Sequence, residues 1–305
     1  MTTSASDTRP SALREAPPGP ARKKNRRTAS YIFLTIAAIF WITPVAWTLY
    51  TSLRPVSDTD AHGYFSLAHT LTLENYQNAW VQGDIIHYFL NSVYITVPAV
   101  LVTLLLSSSA AFVLSRFSFK FNLTMLLLFT AGNLLPQQVF LAPLFKVYLW
   151  ITLPDWLSSS GHLYDSILGL VVINVSFQMG FATFVLSNFM KAIPTEITEA
   201  ALVDGASAWT QYWKLTLPLA RPALAAMGTL LTIWIYNDFF WAVALISTGS
   251  KYPITTAILN LKGTYAVNNN LLAAGALIIA VPTLVVYAVL QKQFISGLTL
   301  GSTKA

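Results

Sequence analysis

Long runs of apolar residues alternate with short polar segments along most of this 305-residue chain. A helix needs roughly 20 apolar residues to cross the hydrocarbon core of a bilayer. Six runs are close to that length or exceed it: Tyr31–Leu53, Tyr88–Val113, Leu123–Leu141, Ile167–Met190, Pro222–Ile246 and Leu271–Leu290. In lipid the backbone must satisfy its own hydrogen bonds, so each run is predicted to be helical. The pattern predicts an all-α integral membrane protein with six transmembrane helices.

Two features modify this simple pattern. The shorter, mixed segment at residues 140–151, FLAPLFKVYLWI, is predicted to extend a helix along the membrane surface. Pro98, Pro136 and Pro282 lie inside predicted spans, and proline removes a backbone donor there. We expect kinks at these positions, which neighbouring helices can accommodate.

The N-terminal segment has a different character. Residues 1–29 are rich in Ser, Thr, Pro and Ala and end in the basic run ARKKNRR, so they are predicted to be a disordered tail. The apolar run that follows is too long for the core of a signal peptide and lacks a small-residue cleavage site. It is therefore interpreted as a retained first span, and residues 30–305 as one transmembrane domain.

Composition supports a membrane location. The chain is 55% hydrophobic and 10% charged, whereas a soluble domain carries about 25% charged residues. It contains no cysteine, which excludes disulfides, thiol catalysis and cysteine-ligated metals.

The lysines and arginines predict the orientation. With the N-terminus inside, fourteen of the 18 fall on the cytoplasmic side and four outside, as the positive-inside rule requires. Both termini and residues 195–218 are then cytoplasmic, and residues 54–84 are outside. The net charge of +6 is thus a topology signal, and no nucleic-acid partner is expected.

A compact polar segment at residues 195–218 separates the fourth and fifth runs. Thr195 is predicted to cap a short helix, with Glu196 and Glu199 in its first turn, where the helix dipole favours carboxylates. Ala200 and Ala201 leave a low-relief face that another surface can approach closely.

The same segment is predicted to turn at Gly205, a residue that readily takes the left-handed conformation at a helix end. Ser207 caps a second short helix, whose Trp209, Tyr212 and Trp213 suit a membrane interface. Leu217-Pro218 and Arg221-Pro222 then turn the chain into the fifth span. The alternative is an ordinary interfacial loop, although such helices are normally rich in Lys and Arg.

The spacing of this segment resembles the EAA loop of permease subunits of bacterial ABC importers. The match consists of Glu-Ala-Ala, three residues, Gly, nine residues and Leu-Thr-Leu-Pro, with Leu215 in place of the usual Ile. In that family the loop is a coupling helix that docks on a cytoplasmic ATPase. The resemblance implies coupling roles for the following residues: Glu199, Ala200, Ala201, Asp204, Gly205, Leu217 and Pro218.

The resemblance extends from about Leu73 to the C-terminus. ENYQNAW, NSVYITV, AAFVLSRFSF, APLF, IPTEITEAALVDGAS and YNDFFWA look like the carbohydrate-uptake branch, in particular its MalG-type subunit. ISGLTLGSTKA resembles that branch's C-terminal tail, which reaches toward the ATPase. The implied protein is a multi-pass component of the bacterial inner membrane. Its implied partners are a second permease, an ATPase dimer and an extracytoplasmic solute-binding protein.

Polar residues inside the predicted spans are candidates for a solute pathway. Asp238 is the only acid of the fifth span and follows Asn237, and an ionisable residue in a span usually faces the bundle interior or a water-filled path. Asn91, early in the second span, is a further candidate. The alternative for Asp238 is a structural tie to a neighbouring helix.

Other chemistry is not indicated. No Walker motif occurs, so ATP is expected to bind a partner ATPase, with no cofactor in this chain and no enzymatic activity. His62, His69, His87 and His162 lack a metalloprotease spacing and are interpreted as solvated, so no metal site is predicted. Two other function classes are an ion-gradient-driven transporter of a small polar solute and a membrane-embedded enzyme. The first would show more intramembrane acids and matched halves, and the second would show paired acids, ligands or a nucleophile motif.

Overall fold

The structure, a computed structural model, describes residues 21–132, 135–261 and 268–299. Within these residues the chain is helical, and one isolated antiparallel bridge pairs Thr152 with His162. The helices are α1 Ala21–Ser52, α2 Val56–His62, α3 Glu74–Gln82, α4 Ile85–Arg116, α5 Asn122–Ala131, α6 Leu141–Trp150, α7 Ile167–Ala192, α8 Thr195–Val203, α9 Ala208–Thr210, α10 Leu217–Leu219, α11 Arg221–Tyr236, α12 Phe240–Leu245, α13 Ile254–Ala257 and α14 Asn269–Thr299.

The chain divides into two units, Met1–Thr48 and Leu49–Ala305. The described part of the first unit is residues 21–48 of α1, whose apolar side chains such as Phe33, Phe40 and Trp41 are exposed. α1 begins at Ala21, inside the segment predicted to be a tail, because Lys and Arg are good helix formers. Residues 1–20 of that tail and residues 300–305 lie outside the described residues, and the predicted boundary at residue 30 stays a prediction.

Among the described residues, four helices are long and apolar enough to cross a membrane. They are Thr28–Ser52, Ile85–Arg116, Ile167–Ala192 and Asn269–Val289. A fifth is reached if Ala208–Leu219 and Arg221–Tyr236, which meet at 74°, are counted as one bent span. These four helices confirm the first, second, fourth and sixth predicted runs as helical spans.

The third run, Leu123–Leu141, was predicted to be one span kinked at Pro136, whereas the structure divides it into separate helical segments. α5 ends at Ala131, and a 3₁₀ turn at Gln137–Phe140 leads into α6. Pro136 has an extended backbone and precedes this turn. Proline disfavours a helical conformation in the residue before it, which explains the interruption. α6 itself coincides with the predicted helical segment at residues 140–151.

The fifth run, Pro222–Ile246, is also interrupted. α11 ends at Tyr236, and α12 begins at Phe240. At the break the Asp238 carboxylate accepts a hydrogen bond from the Trp241 backbone N–H (3.2 Å). Phe239 is the N-cap residue of α12, and the Asp238 carboxylate just before it satisfies a free N–H of the first turn, which favours the start of a new helix. By contrast, Pro98 and Pro282 lie inside unbroken α4 and α14.

α4 and α7 pack closely against each other and form the centre of the second unit. Small side chains make this approach possible, as is usual for helices in a membrane. Fully buried examples are Ala99, Thr103, Ser107 and Ala111 of α4 and Ala182, Thr183 and Ser187 of α7. The main core continues onto α11 and α12 through Met227, Leu231, Trp241 and Leu245.

A polar cluster lies before α7 and joins it to the segment after α12. The Asp165 carboxylate accepts hydrogen bonds from the backbone N–H groups of Ser247 (2.9 Å) and Thr248 (2.8 Å), from the Thr248 hydroxyl (2.6 Å) and from Lys251 Nζ (3.0 Å). Burial alone would raise the pKa of Asp165, but these bonds stabilise the carboxylate and lower its pKa from 3.8 to about 2. Asp165 is therefore a strong tie at this end of the bundle.

Candidate functional site

The candidate coupling segment follows α7 directly. Pro194 occupies the N-cap of α8 and offers no side-chain cap, while Thr195 is the first helical residue. The prediction that Thr195 caps this helix was therefore wrong, because the cap is displaced by one residue. Glu196 lies in the first turn as predicted, but Glu199 lies one turn further along. Glu199 is exposed and lines a pocket that it shares with Arg116 and Gln211.

Gly205 ends α8 in the predicted left-handed conformation, with φ of 77°. The Ala206 N–H donates to the Ala201 carbonyl (2.9 Å), and the Gly205 N–H donates to the Leu202 carbonyl (3.0 Å). This pair of bonds is the Schellman motif, which satisfies the free carbonyls of a helix end. Local hydrogen bonds thus define the turn that the sequence predicts.

The second half of the segment begins at Ser207, as predicted. The Ser207 hydroxyl accepts a hydrogen bond from the Thr210 N–H (3.3 Å). A π-helical turn at Gln211–Thr216 and the short α10 then carry the chain to α11, which meets this segment at 74°. The sharp change of direction lies at Leu219–Arg221, next to the predicted prolines Pro218 and Pro222.

The segment presents an exposed tip and a buried base. Val203 is 88% exposed and Leu202 is 62% exposed, and Asp204 and Ala200 are also at the surface. Ala201 is buried beneath them, so the two alanines of the predicted low-relief face point to different surroundings. Leu217 is half-buried, whereas Pro218 is exposed. An exposed apolar tip flanked by carboxylates is suited to contact another protein surface.

Tyr212 is buried, so the prediction that it lies at a membrane interface with Trp209 and Trp213 was wrong for this residue. Its hydroxyl lies 2.8 Å from the Ser108 hydroxyl and accepts a bond from Ser109 Oγ (3.1 Å). A phenol with hydrogen-bond partners can be buried with its ring in the core. Tyr212 therefore attaches the coupling segment to the C-terminal part of α4.

Two further contacts fix the segment and were missed by sequence reasoning. Gln211 Nε2 donates to the Ala206 carbonyl (2.9 Å), which links the two halves across the turn. Arg116 Nη1 donates to the Ile193 carbonyl (3.2 Å), between α7 and α8. For the contact of Tyr212 with α4, the run of three serines (Ser107–Ser109) is the sequence signal that could have indicated a buried polar partner.

The three predicted pathway residues have different surroundings. Asn91 is buried in α4, and its Nδ2 donates to the carbonyls of Ser250 (2.8 Å) and Tyr252 (3.0 Å). The neighbouring Ser92 hydroxyl accepts from the Ile254 N–H (2.8 Å). Both donors of the Asn91 amide are thus used to hold the loop before α13.

Asp238 lies at the break between α11 and α12. Besides capping α12, its carboxylate accepts a bond from Asn174 Nδ2 of α7 (3.2 Å), and its carbonyl accepts from the Thr255 hydroxyl (2.8 Å). Asn237 is exposed and donates to the Ile233 carbonyl (2.7 Å) and to Thr283 Oγ1 of α14 (3.4 Å). The structure thus gives Asp238 several internal partners and leaves Asn237 at a surface.

Comparison with known proteins decides the family. Residues 103–296 match the family described as "Binding-protein-dependent transport system inner membrane component". The chain belongs to this family. The membership confirms the resemblance to ABC importer permeases and makes the chain a multi-pass inner-membrane transport component, not an enzyme. It also decides against an ion-gradient-driven transporter.

A curated relative and two solved structures are similar to this chain. The diacetylchitobiose uptake system permease protein NgcG of Streptomyces coelicolor is 31% identical over 92% of this chain and 91% of its own length. A chain of a bacterial ABC transporter that imports the acidic polysaccharide alginate has a TM-score of 0.72 at 20% identity, with coverage of 92% of this chain and 100% of that chain.

The second solved structure is a bacterial alginate ABC transporter in complex with an alginate pentasaccharide-bound periplasmic protein. One of its chains has a TM-score of 0.65 at 17% identity, with coverage of 88% and 95%. At these identities the solved structures establish a shared fold. Within this permease family, the segment at residues 195–218 is the candidate functional site.

Proposed function

We propose that this chain is one permease subunit of an ATP-driven importer of an oligosaccharide and forms half of its translocation pathway. The observation that carries the proposal is the EAA-type segment, which in a member of this family is folded as a short helix, a Schellman turn and an anchored second half. The relative named for diacetylchitobiose uptake and the alginate-importer fold support a carbohydrate solute.

We assign six spans to this chain. The four long helices are complemented by two interrupted spans, one from α5 through α6 and one from α11 through α12. α11 has 16 residues and is about 24 Å long at 1.5 Å per residue, so it needs α12 to complete a span of about 30 Å. With six spans and the lysine and arginine distribution, both termini are cytoplasmic.

The coupling role is assigned to α8 and its turn. Glu199, Ala200, Asp204 and Gly205 are exposed, and the protruding Leu202 and Val203 give the tip an apolar centre. The proposed partner surface is a groove on a cytoplasmic ATPase dimer that binds ATP, so that this chain requires no cofactor of its own. Because Tyr212 anchors the segment to α4, movement of the ATPases is transmitted to the helical bundle.

Among the pathway candidates, we assign solute contact to Asn237. It is exposed, and although its Nδ2 donates to Ile233 and Thr283, its amide oxygen can accept a hydrogen bond from a sugar hydroxyl in place of water. The internal hydrogen bonds of Asn91 and Asp238 support structural roles for both. The other half of the pathway is assigned to a second permease, and delivery of the solute to an extracytoplasmic binding protein.

The test is reconstitution of the purified complex in liposomes, with the binding protein outside and a labelled chito-oligosaccharide as the first solute. Uptake is expected only with ATP on the ATPase side. Glu199→Lys is expected to reduce uptake more than ATP hydrolysis, because charge reversal on α8 weakens docking. Glu74→Lys, at an exposed glutamate of α3, is the matched control and should transport normally.

Two results would contradict the proposal. One is uptake that proceeds without ATP under an imposed ion gradient. The other is normal coupled uptake by Glu199→Lys at matched amounts of complex.

A further inference from the structure

Three potential metal ligands meet in the loop between α1 and α4. α2 places Asp58 and His62 four residues apart, and such residues lie on the same face of a helix. Gly63, with φ of 82°, ends α2, and the chain then returns to bring His69 beside His62. The ligand atoms of these three residues lie within 4.8 Å of one another. The two imidazole ring centres are 4.1 Å apart.

The distances suit a single small ion. His62 Nδ1 lies 3.2 Å from Asp58 Oδ1. Two ligands of a tetrahedral zinc ion, each about 2.0–2.1 Å from the metal, are about 3.3 Å apart. Both histidines are exposed, so their rings can turn to complete the arrangement without moving the core.

The Asp58 carboxylate is already oriented. Its Oδ2 accepts hydrogen bonds from Arg54 Nε (3.0 Å) and Nη2 (2.8 Å). Arg54 is 1% exposed and also donates to the carbonyls of Gly63 and Tyr64. Oδ1 lies on the side of the histidines, where it accepts a long hydrogen bond from the His69 N–H (3.4 Å). Outer partners that fix a ligand in this way are a regular feature of protein metal sites.

We propose that Asp58, His62 and His69 form a binding site for a divalent transition-metal ion, with zinc as the best match. Imidazole nitrogen and carboxylate oxygen suit zinc, whereas calcium and magnesium require more oxygen ligands. Three protein ligands leave a fourth position for water or for a group from another molecule. A bound ion links α2 to the segment that follows it and so holds the turn at Gly63.

Metal binding at this site does not depend on transport or on which side of the membrane the loop faces. The chain also offers few competing sites, since it has no cysteine and two other histidines, His87 and His162. The affinity of the permease complex for zinc ion can therefore be measured directly by competition with a fluorescent chelator, using protein purified with a histidine-free tag.

We expect one zinc ion for each copy of this chain, removed in the double variant His62→Ala/His69→Ala. Either single substitution should weaken binding at least about tenfold, since even the loss of an outer partner costs ten- to a hundredfold. Both side chains are exposed, so the variants should fold as the natural chain does. His87→Ala, an exposed histidine of α4 outside the cluster, is the matched control and should bind zinc normally.

Magnesium ion in large excess should not displace the zinc. A dissociation constant of about 100 μM corresponds to a binding free energy of −5 to −6 kcal/mol, which does not require a specific site. Zinc binding weaker than this overturns the proposal. It is equally overturned by zinc binding that persists unchanged in the double variant.

Discussion

At the scale of single residues, Gly205 takes a φ of 77°, and a Cβ built on it would meet no heavy atom within 4 Å. The requirement for glycine is thus conformational and not steric. Gly205→Val places a β-branched residue in the left-handed region, which costs at least about 1–2 kcal/mol. We expect the turn to be lost and solute uptake to fall sharply, while the subunit still inserts and assembles. Uptake and complex assembly are measured side by side.

Gly205→Asn is the matched control for this substitution. Asparagine is larger than glycine but tolerates the left-handed conformation, and it is found at helix ends for that reason. It should retain most of the uptake. Loss of uptake in both variants to the same extent would show that bulk, and not backbone conformation, matters at this position.

The ionisation of Asp165 predicts how the stability of the protein depends on pH. Because the pKa of this carboxyl is lowered from 3.8 to about 2 in the folded protein, the ionised group stabilises the fold above pH 4. That contribution is lost as the pH falls through 4 toward 2. Asp165→Asn should therefore lower the thermal unfolding midpoint of the detergent-solubilised protein near neutral pH, and the difference from the natural chain should shrink below about pH 4.

Asp155→Asn changes an exposed carboxylate in the same loop region and serves as control. Asp155→Asn should leave the thermal unfolding midpoint unchanged near neutral pH and below about pH 4. An Asp165→Asn difference that is constant with pH would contradict the ionisation argument.

Some features of single residues could be predicted from the sequence and others could not. Gly205 and Ser207 were predicted correctly because the conformation of a helix end depends on local residue types. The burial of Tyr212 and the partners of Asn91 were not predicted, since these contacts join residues more than 100 positions apart. A single sequence does not indicate which distant hydroxyl or carbonyl a polar side chain meets.

At the scale of secondary-structure elements, the neighbouring residues Asn237 and Asp238 at the break between α11 and α12 are expected to have different roles. Asp238→Ala removes the cap of α12 and the partner of Asn174, so we expect loss of stability of about 1–2 kcal/mol and poor assembly. Asp238→Asn keeps a side-chain oxygen that can accept the capping hydrogen bond, so it should recover part of the lost stability and assembly. Thermal stability and the yield of assembled complex are the measurements.

Asn237→Ala is expected to show the opposite order. This exposed side chain is not part of the cap, so assembly should be nearly normal, whereas uptake should fall if the amide contacts the solute. Normal uptake by an assembled Asn237→Ala complex would remove Asn237 from the pathway. Poor uptake by a fully assembled Asp238→Ala complex would instead assign Asp238 to the solute pathway.

Hydropathy predicted the positions of the spans better than their continuity. It locates α1, α4, α7 and α14 because each is apolar and unbroken. It also marks the third and fifth runs, but apolar character does not show where a helix stops. Those ends depend on Pro136 and on the Asp238 cap, which act through backbone geometry and hydrogen bonding.

At the scale of the whole molecule, the proposed topology can be tested because the chain contains no cysteine. Ala61→Cys and Asp204→Cys each introduce one thiol at an exposed position. A membrane-impermeant maleimide applied to intact cells should label Ala61→Cys, and should label Asp204→Cys only after the membrane is permeabilised. The reverse pattern would invert the orientation and place the EAA-type segment outside.

The segment before α13 has a mechanical consequence for the bundle. Together with the first turn of α13, it is bonded to Asn91 and Ser92 of α4, to the main chain of Asp238 beyond α11, and through Lys251 to Asp165 ahead of α7. Three helices are thereby joined at one end, while Tyr212 fastens the coupling segment to α4 nearer the other. We expect a body braced in this way to have few internal degrees of freedom. A displacement applied at Val203 would then tilt it as a stiff unit, and the opening and closing of a passage would occur at its boundary with a neighbouring subunit.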